Sequence, residues 1–288
     1  MVYTLSNSEL CIKVDLHGAE LCSIRRGDIE YLWQADPQYW KRHSPILFPV
    51  VGSVYQNCYR LNGREYQISQ HGFARDMDFD FLYAKDDELR FTLKDNEETQ
   101  KKYPFPFELE TGYRLDGKTI EISWKVCNTG QEIMPFQIGA HPAFNLPDFM
   151  PEDAIKGYLG FDNQDISYIL IDNGGADTER KHHLTLTDGI LPLTEQIFEK
   201  DALIIENSQI HDVCLYDKKH NPWLSVRFEA PVVGLWSPPK KNAPFVCIEP
   251  WYGRCDRTGY TGEFADKDWI QKLAPKEVFV KNYIIEIY

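Results

Sequence analysis

Two runs of alternating residues joined by an Asp-Gly pair constrain the fold of this chain more than any other feature. Large, mostly apolar side chains occupy every second position from Phe107 to Leu115 and again from Ile120 to Val126. A period of two is typical of a β-strand with one buried face. Asp116-Gly117 supplies the residue types that a tight hairpin turn requires. This segment therefore predicts an antiparallel β-hairpin.

Short strands with the same pattern recur along the whole chain, from Leu10–Leu16 near the start to the last six residues, 283–288. Glycines and prolines are scattered rather than clustered, so no interdomain linker is indicated. We expect one all-β domain over residues 1–288, an antiparallel sandwich or a larger assembly of two sheets.

Helical signals are few and short. Asp95 is a candidate N-cap for a helix of one or two turns from Glu97 to Lys102, which Pro104 would end. Asp266 is a candidate N-cap for a second helix, from Lys267 to Leu273.

Charge and composition narrow the function classes. The chain carries 44 acidic and 31 basic side chains, a formal net charge of −13. Phosphate binding requires a basic face, so neither nucleic acid nor an anionic membrane surface is an expected partner. A small-molecule ligand is favoured. The start lacks the pattern of a secretory signal, and no run of eighteen apolar residues occurs, which predicts a cytoplasmic protein without a membrane span.

Several common sites are not indicated by the sequence. Seven cysteines form an odd set without CxxC spacing, so they are expected to be reduced and buried. His182 and His183 are adjacent and would point to opposite faces of a strand, and no metal site is predicted. The glycine-rich phosphate-binding motifs and the Gly-x-Ser-x-Gly elbow of hydrolases do not occur.

Four segments place titratable or aromatic residues between apolar strands. In 70–75, His71 can exchange a proton near neutral pH and Arg75 can hold an oxyanion or a sugar hydroxyl. A structural role is equally open, with the imidazole capping a backbone carbonyl and Arg75 paired with Asp76 or Asp78. The other three segments span 41–49, 137–145 and 247–253.

His141 and Glu249 lie in two of these segments. Small or rigid neighbours surround His141 and would let a ligand approach, although such a histidine is about as often a turn stabiliser. Glu249 ends an apolar run, where a carboxylate must be hydrogen-bonded, ion-paired or functional. Aromatic residues nearby could stack on sugar faces or simply pack in the core: Phe144, Trp236, Trp251 and Tyr252.

Three motifs in order resemble those of the aldose 1-epimerase (mutarotase) family: His-Gly-Phe-Ala-Arg at 71–75, Gly-Ala-His-Pro-Ala-Phe-Asn at 139–145 and Ile-Glu-Pro-Trp at 248–251. The nearest likeness is to its bacterial LacX-like branch, with some similarity to hexose-6-phosphate mutarotases. The resemblance spans nearly the whole chain. It implies the galactose mutarotase-like β-sandwich, of the supersandwich type.

The resemblance also implies roles for particular residues. Glu249 would be the base, His141 the acid and His71 a second imidazole on the substrate. Arg75 would bind sugar hydroxyls or a phosphate, and Asp201 would be an acidic sugar contact. The remaining substrate-binding candidates are Arg42, Asn145 and Trp251. Neither a metal nor an organic cofactor is implied.

An ionised Glu249 and a partly protonated His141 would suit ring opening of a sugar. A glutamate with an ordinary pKa of about 4.3 is ionised at pH 7. Neighbouring carboxylates such as Asp201 are expected to hold His141 partly protonated.

Other functions stay open from the sequence alone. A non-catalytic carbohydrate-binding or regulatory protein would need no acid and base. A hydrolase or lyase would need a second carboxylate beside Glu249. A hexose 6-phosphate becomes the favoured substrate if Arg42 and Arg75 both face the cleft. The oligomeric state is not indicated.

Overall fold

The computed structural model describes all residues from Met1 to Tyr288 and is built almost entirely of β-strands. In chain order the strands are β1 (Val2–Ser6), β2 (Cys11–Asp15), β3 (Glu20–Arg26), β4 (Ile29–Glu30), β5 (Ile46–Leu47), β6 (Cys58–Leu61), β7 (Arg64–Gln67), β8 (Asp80–Ala84), β9 (Glu88–Lys94), β10 (Phe107–Asp116), β11 (Thr119–Asn128), β12 (Met134–Phe136), β13 (Ile138–Ala140), β14 (Ala143–Asn145), β15 (Tyr158–Phe161), β16 (Ser167–Tyr168), β17 (Ile171–Asp172), β18 (Gly175–Ala176), β19 (His182–His183), β20 (Ile190–Pro192), β21 (Leu203–Glu206), β22 (Asp212–Tyr216), β23 (Pro222–Phe228), β24 (Val232–Trp236), β25 (Phe245–Tyr252), β26 (Gln271–Leu273) and β27 (Val278–Ile287). One α-helix, α1 (Glu97–Lys102), is accompanied by four 3₁₀ turns at Tyr55–Asn57, Ala74–Asp76, Glu195–Phe198 and Phe264–Asp266.

Three sheets account for most of the strands. The largest has nine strands in the order β20-β15-β22-β23-β27-β11-β10-β9-β8, and a four-stranded sheet has the order β1-β2-β3-β4. A six-stranded sheet runs β21-β24-β25-β13-β5, with β14 also paired to β25. The pairs β6-β7, β12-β26, β16-β19 and β17-β18 form small ribbons. Neighbouring strands in every sheet are antiparallel, which confirms the predicted fold class.

The predicted hairpin is confirmed and forms the centre of the nine-stranded sheet. Its register pairs Phe107 with Asn128 at one end and Asp116 with Thr119 at the other, so only Gly117 and Lys118 form the loop. Gly117 has a φ of +53°, in the left-handed region that a two-residue hairpin turn requires.

Apolar side chains from all parts of the chain pack into one main core. This cluster contains 61 buried residues, from Leu5 on the first strand to Ile287 on the last. The fully buried ring of Trp124 belongs to it. A smaller cluster packs around Trp251 and Cys255 of the six-stranded sheet and its neighbours, close to the cleft described below.

One predicted helix is confirmed and the other is wrong. Helix α1 spans the predicted residues, but its N-cap is Asn96, whose side chain accepts hydrogen bonds from the N–H groups of Glu98 and Thr99. Asp95 instead accepts a hydrogen bond from the N–H of Phe107. None of the helices has the length and apolarity to span a membrane.

The second predicted helix, over 267–273, is replaced by a bend and a turn, with Trp269 at a φ of +60°, followed by the short strand β26. A 3₁₀ turn ends at Asp266, and strand β26 then pairs with β12. Pairing of β26 with β12 thus outweighs the local helical signal, as tertiary contacts often do.

Candidate functional site

An open cleft of about 350 Å³ gathers residues that lie far apart in the sequence. Its volume falls within the range of small-molecule sites. The lining mixes titratable, aromatic and small residues: Trp40, Gly52, Ser53, Gln70, His71, Arg75, His141, Ile171, Gly174, Asp201, Ala202, Ile204, Trp236, Glu249, Trp251 and Cys255.

Strand β25 carries two of the lining residues. Successive side chains of a strand alternate between faces, so Glu249 and Trp251 project to the same side. Trp251 packs where glycines leave room for it. A Cβ at Gly139 would lie 2.6 Å from the indole, and one at Gly234 would lie 2.4 Å from it. The indole N–H donates to the carbonyl of Ala140 at 3.2 Å, which fixes the ring beside the carboxylate.

Glu249 and His141 form a buried pair in the cleft. Nε2 of His141 lies 3.2 Å from Oε2 of Glu249. The two residues are 7% and 1% exposed. Trp40 stacks on the imidazole with ring centroids 4.6 Å apart, and Trp236 meets it edge-on at 5.4 Å. The imidazole is therefore held by packing, with one ring nitrogen against the carboxylate.

Burial moves both members of the pair towards their uncharged forms. It lowers the pKa of His141 from 6.5 to about 3, and the nearby positive charges of Arg75 and Arg42 act in the same direction. Burial raises the pKa of Glu249 well above 4.5, and the negative charge of Asp201 raises it further. The expectation of an ordinary Glu249 beside a His141 that Asp201 keeps protonated is therefore wrong, because desolvation dominates and Asp201 acts on Glu249.

His71 is held in a strained loop against Gly52. Its φ is +64°, and its N–H donates to the carbonyl of Gly52 at 2.8 Å. In return the N–H of Gly52 donates to Nδ1 of the imidazole at 3.1 Å. Burial keeps the pKa of His71 well below 6.5, so the ring is neutral, and an accepting Nδ1 places its proton on Nε2.

The residue after His71 must be a glycine. Gly72 has a φ of +72°, and a Cβ there would lie 2.1 Å from the carbonyl oxygen of Phe48. The rings of His71 and His141 lie 5.5 Å apart and nearly perpendicular. The motif at 71–75 therefore places a second imidazole next to the buried pair. This ring is neutral and can donate a hydrogen bond from Nε2.

Arg75 faces the cleft, whereas Arg42 is not among the lining residues. Arg75 donates to the carbonyl of Gln70 at 2.7 Å, while its buried Nε has no hydrogen-bond partner. Burial, then the charge of Arg42, lowers the pKa of Arg75 to about 10. Arg42 donates to Asp76 at 2.7 Å. The structural alternative for Arg75 was an ion pair with Asp76. Arg42 is the main partner of Asp76, and Nε of Arg75 lies farther from that carboxylate, at 3.8 Å.

Of two further substrate-binding candidates, Asp201 lines the cleft and Asn145 does not. Asp201 lines the cleft with a left-handed φ of +81°, and its Oδ1 accepts the N–H of Ala202 at 2.9 Å. Asn145 lies outside the lining. Its amide donates to the carbonyls of Glu30 and Leu32 at 3.0 and 2.9 Å, so it ties strand β14 to the first sheet.

His141, Cys247 and Glu249 are the one group whose donor atoms could hold a metal ion, since these atoms lie within 4.8 Å of one another. The spacing of these residues in the sequence gave no sign of it. A metal would need Cys247 as a thiolate, yet burial raises the pKa of this thiol well above 9. Nε2 of His141 and Oε2 of Glu249 lie 3.2 Å apart, although Oε2 forms no hydrogen bond as the two side chains are placed. The arrangement brings an imidazole and a carboxyl group close enough to exchange a proton.

Some lining residues were not singled out from the sequence. Trp40, Ser53 and Cys255 belong to this group, because each depends on contacts formed by distant segments. Trp40 directly precedes the polar residues of the 41–49 segment, and that position was the one sequence feature that could have marked it as a cleft residue.

The chain is similar over its length to several known proteins. The family model described as aldose 1-epimerase matches residues 1–269. Protein LacX (chromosomal) of Lactococcus lactis subsp. lactis is 33% identical, with 100% of this chain and 99% of the relative covered. A solved galactose mutarotase related enzyme from Lactobacillus acidophilus is 35% identical, with a TM-score of 0.93 over 100% of this chain and 97% of its own. A galactose mutarotase-like protein from Lactobacillus casei is 31% identical, with a TM-score of 0.92 and full coverage of both chains.

Proposed function

This chain belongs to the aldose 1-epimerase family, and we propose that it interconverts the α and β anomers of an aldohexose by acid–base ring opening. The contact between His141 and Glu249 carries this proposal. Anomerisation needs a proton removed from the hydroxyl on C1 and another delivered to the ring oxygen. Both oxygens are bonded to C1, so the acid and the base must serve the same carbon, each within hydrogen-bond reach of its own oxygen. A pair whose nearest atoms lie 3.2 Å apart is compatible with that arrangement.

The proposed reaction keeps protons balanced without a cofactor. Glu249 takes the proton of the C1 hydroxyl while His141 protonates the ring oxygen. The bond between C1 and the ring oxygen breaks, leaving a carbonyl at C1. Rotation about the C1–C2 bond then presents the other face, and the ring recloses with the two residues in reversed roles. Afterwards each residue holds the proton inventory with which it began.

One mobile proton is enough for both roles. Burial raises the pKa of Glu249 and lowers that of His141, which favours the uncharged form of the pair, with the proton on Glu249. Transfer of that proton across the contact to His141 creates the base and the acid together. The reaction stops if the pair binds a second proton or loses its single proton. The two pKa values that bound the active pH range therefore belong to the pair and not to either residue alone.

The rest of the cleft supports a polyhydroxylated ring. Arg75 and the Nε2–H of His71 offer donors, and the Asp201 carboxylate offers acceptors. Trp40, Trp236 and Trp251 offer apolar surface for the faces of a sugar. Only one guanidinium faces the cleft, since Arg42 is engaged with Asp76. We therefore place unphosphorylated aldohexoses ahead of hexose 6-phosphates.

The test is a panel of freshly dissolved pure anomers followed by polarimetry. Glucose, galactose and their 6-phosphates are compared at matched concentration, with the spontaneous rate subtracted. We expect acceleration with at least one free aldohexose and a smaller kcat/KM for its 6-phosphate. Faster turnover of the phosphorylated form would reverse the substrate assignment. Binding of a sugar without any acceleration would favour a non-catalytic carbohydrate-binding protein.

A further inference from the structure

Lys267 and Asp256 form a buried ion pair that the proposed reaction does not use. Nζ of Lys267 lies 3.0 Å from Oδ1 of Asp256, and their side chains are 2% and 4% exposed. Removing two charges from water carries a desolvation penalty of several kcal/mol for each ion. Stability alone is therefore a weak reason for such a pair, and its remaining contacts lead to the cleft.

Both members of the pair hold one short segment, residues 51–55. Nζ of Lys267 donates to Oε1 of Gln137 at 3.1 Å, and the same oxygen accepts the N–H of Val51 at 3.1 Å. At the other end, Oδ2 of Asp256 accepts the N–H of Tyr55 at 2.8 Å. The ammonium group thus orients the two acceptors that fix the ends of this segment.

The middle of the segment is the part that touches His71. Gly52 exchanges two hydrogen bonds with His71, one of them to Nδ1 of the ring. The carbonyl of Ser53 accepts the N–H of Asp256 at 3.0 Å. Gly52 has a φ of +68°, and a Cβ there would lie 2.6 Å from Cβ of Cys255. The segment is therefore packed tightly between the ion pair and the imidazole.

We propose that Lys267 is a positioning residue that, together with Asp256 and Gln137, holds residues 51–55 and through Gly52 fixes the orientation and tautomer of His71. Only the catalytic consequence of this inference depends on the proposed function. With Nδ1 accepting from Gly52, the neutral ring presents its proton on Nε2 as a donor. If Gly52 shifts, Nδ1 loses its partner and the two tautomers become closer in energy.

The test compares Lys267→Met and Gln137→Met with a matched control. Both substitutions keep an unbranched side chain of similar length but remove the donor or the acceptor. Lys156→Met is the control, because Lys156 is also buried and its Nζ lies over the ring of Phe149, away from the cleft lining. The imidazole ¹⁵N resonances of His71, identified by their loss in His71→Asn, report the tautomer directly. Anomerisation is measured on the same samples.

We expect a single tautomer of His71 in the wild-type protein, with the proton on Nε2. Both test variants should show a mixture, and kcat should fall by up to about 100-fold because a donor is misplaced. Lys156→Met should leave the His71 resonances unchanged. Should Lys267→Met fail to fold, the uncharged change at Gln137 decides the question.

Unchanged His71 resonances in folded variants would overturn the positioning role, whatever their melting temperatures. If the wild-type protein anomerises no sugar, the proposed function fails, while the ¹⁵N comparison still decides whether Lys267 positions His71.

Discussion

The hairpin of β10 and β11 and the single strand β25 bury different kinds of residues. Along β11 buried and half-buried residues alternate, and the buried side chains are apolar except for Asn128 at the end. Along β25 all eight residues from Phe245 to Tyr252 are buried, and Glu249 is among them. Both strands lie inside antiparallel sheets, so backbone pairing does not explain the difference.

The hairpin contributes mainly to stability, whereas β25 places a titratable group in the cleft. The polar face of the hairpin stays near water, and its burial of Trp124 and its neighbours stabilises the fold by transfer of apolar surface. On β25 a carboxyl group leaves water without a salt bridge to a permanently charged residue, which opposes folding. The same burial holds the pKa of this carboxyl group well above 4.5, beside the imidazole of His141.

The largest expected effects fall on activity. Glu249→Gln keeps the shape of the side chain and removes the base, and His141→Asn removes the acid. Each change should lower kcat for anomerisation by about 10²–10⁴-fold, the usual contribution of a positioned proton-transfer group. Polarimetry on a freshly dissolved anomer measures the loss. Glu121→Gln on the hairpin, where the carboxylate pairs with Arg114, is the control and should retain activity.

Stability should move in the opposite direction for Glu249→Gln. The folded carboxyl has a raised pKa, so the unfolded chain releases this proton as pH rises through about 4.5 while the folded protein still retains it. Stability is therefore lost as pH rises above that point, and removing the group should raise the melting temperature at pH 7. A variant both inactive and less stable would argue that Glu249 is chiefly structural.

On the hairpin, Trp124→Ala should act on the fold rather than on the chemistry. The ring is fully buried and packs near Tyr283, with ring centroids 5.4 Å apart. Truncation should reduce the free energy of unfolding by about 3–5 kcal/mol, as measured by denaturant titration. The folded protein should keep its kcat and its pH profile. A changed pH profile would show that the two regions are not independent.

The smallest expected effect concerns acid stability. Burial depresses the pKa of His141 to about 3 and that of His71 well below 6.5. Below about pH 6.5 these two imidazoles therefore bind protons in the unfolded chain but stay neutral in the folded protein. The free energy of unfolding decreases as pH falls towards about 3. His141→Asn should flatten this dependence in melting experiments between pH 7 and 4. The same change at the exposed His183 should leave it unaltered.

The parts of the fold and site that the sequence predicts correctly are those with a local signal. The hairpin followed from alternation and an Asp-Gly pair, and the motifs at 71–75, 139–145 and 248–251 marked the segments that meet in the cleft. The role of Lys267 could not be predicted in this way. The residues next to it in the sequence suggested a helix, whereas its partners Asp256 and Gln137 are brought to it by the tertiary fold.

Protonation states were likewise beyond the sequence. The shift at Glu249 arises from burial by distant segments and from Asp201, 48 positions away along the chain. Asn145 shows the converse, since a polar residue inside a family motif can serve the backbone instead of the cleft. Such distinctions depend on which groups lose water, and a linear pattern does not encode that.

The central claim, a buried pair that holds one mobile proton, is tested most directly by titrating Glu249 itself. The ¹³C resonance of its carboxyl group is identified in protein labelled at glutamate by comparison with Glu249→Gln, and is followed against pH alongside kcat/KM. The account predicts a pKa well above 4.5 that coincides with the alkaline limb of the kcat/KM profile. Both should move to lower pH in Asp201→Asn, because a negative charge near Glu249 is lost. A carboxyl group that titrates at or below 4.5, with no counterpart in the activity profile, would contradict it.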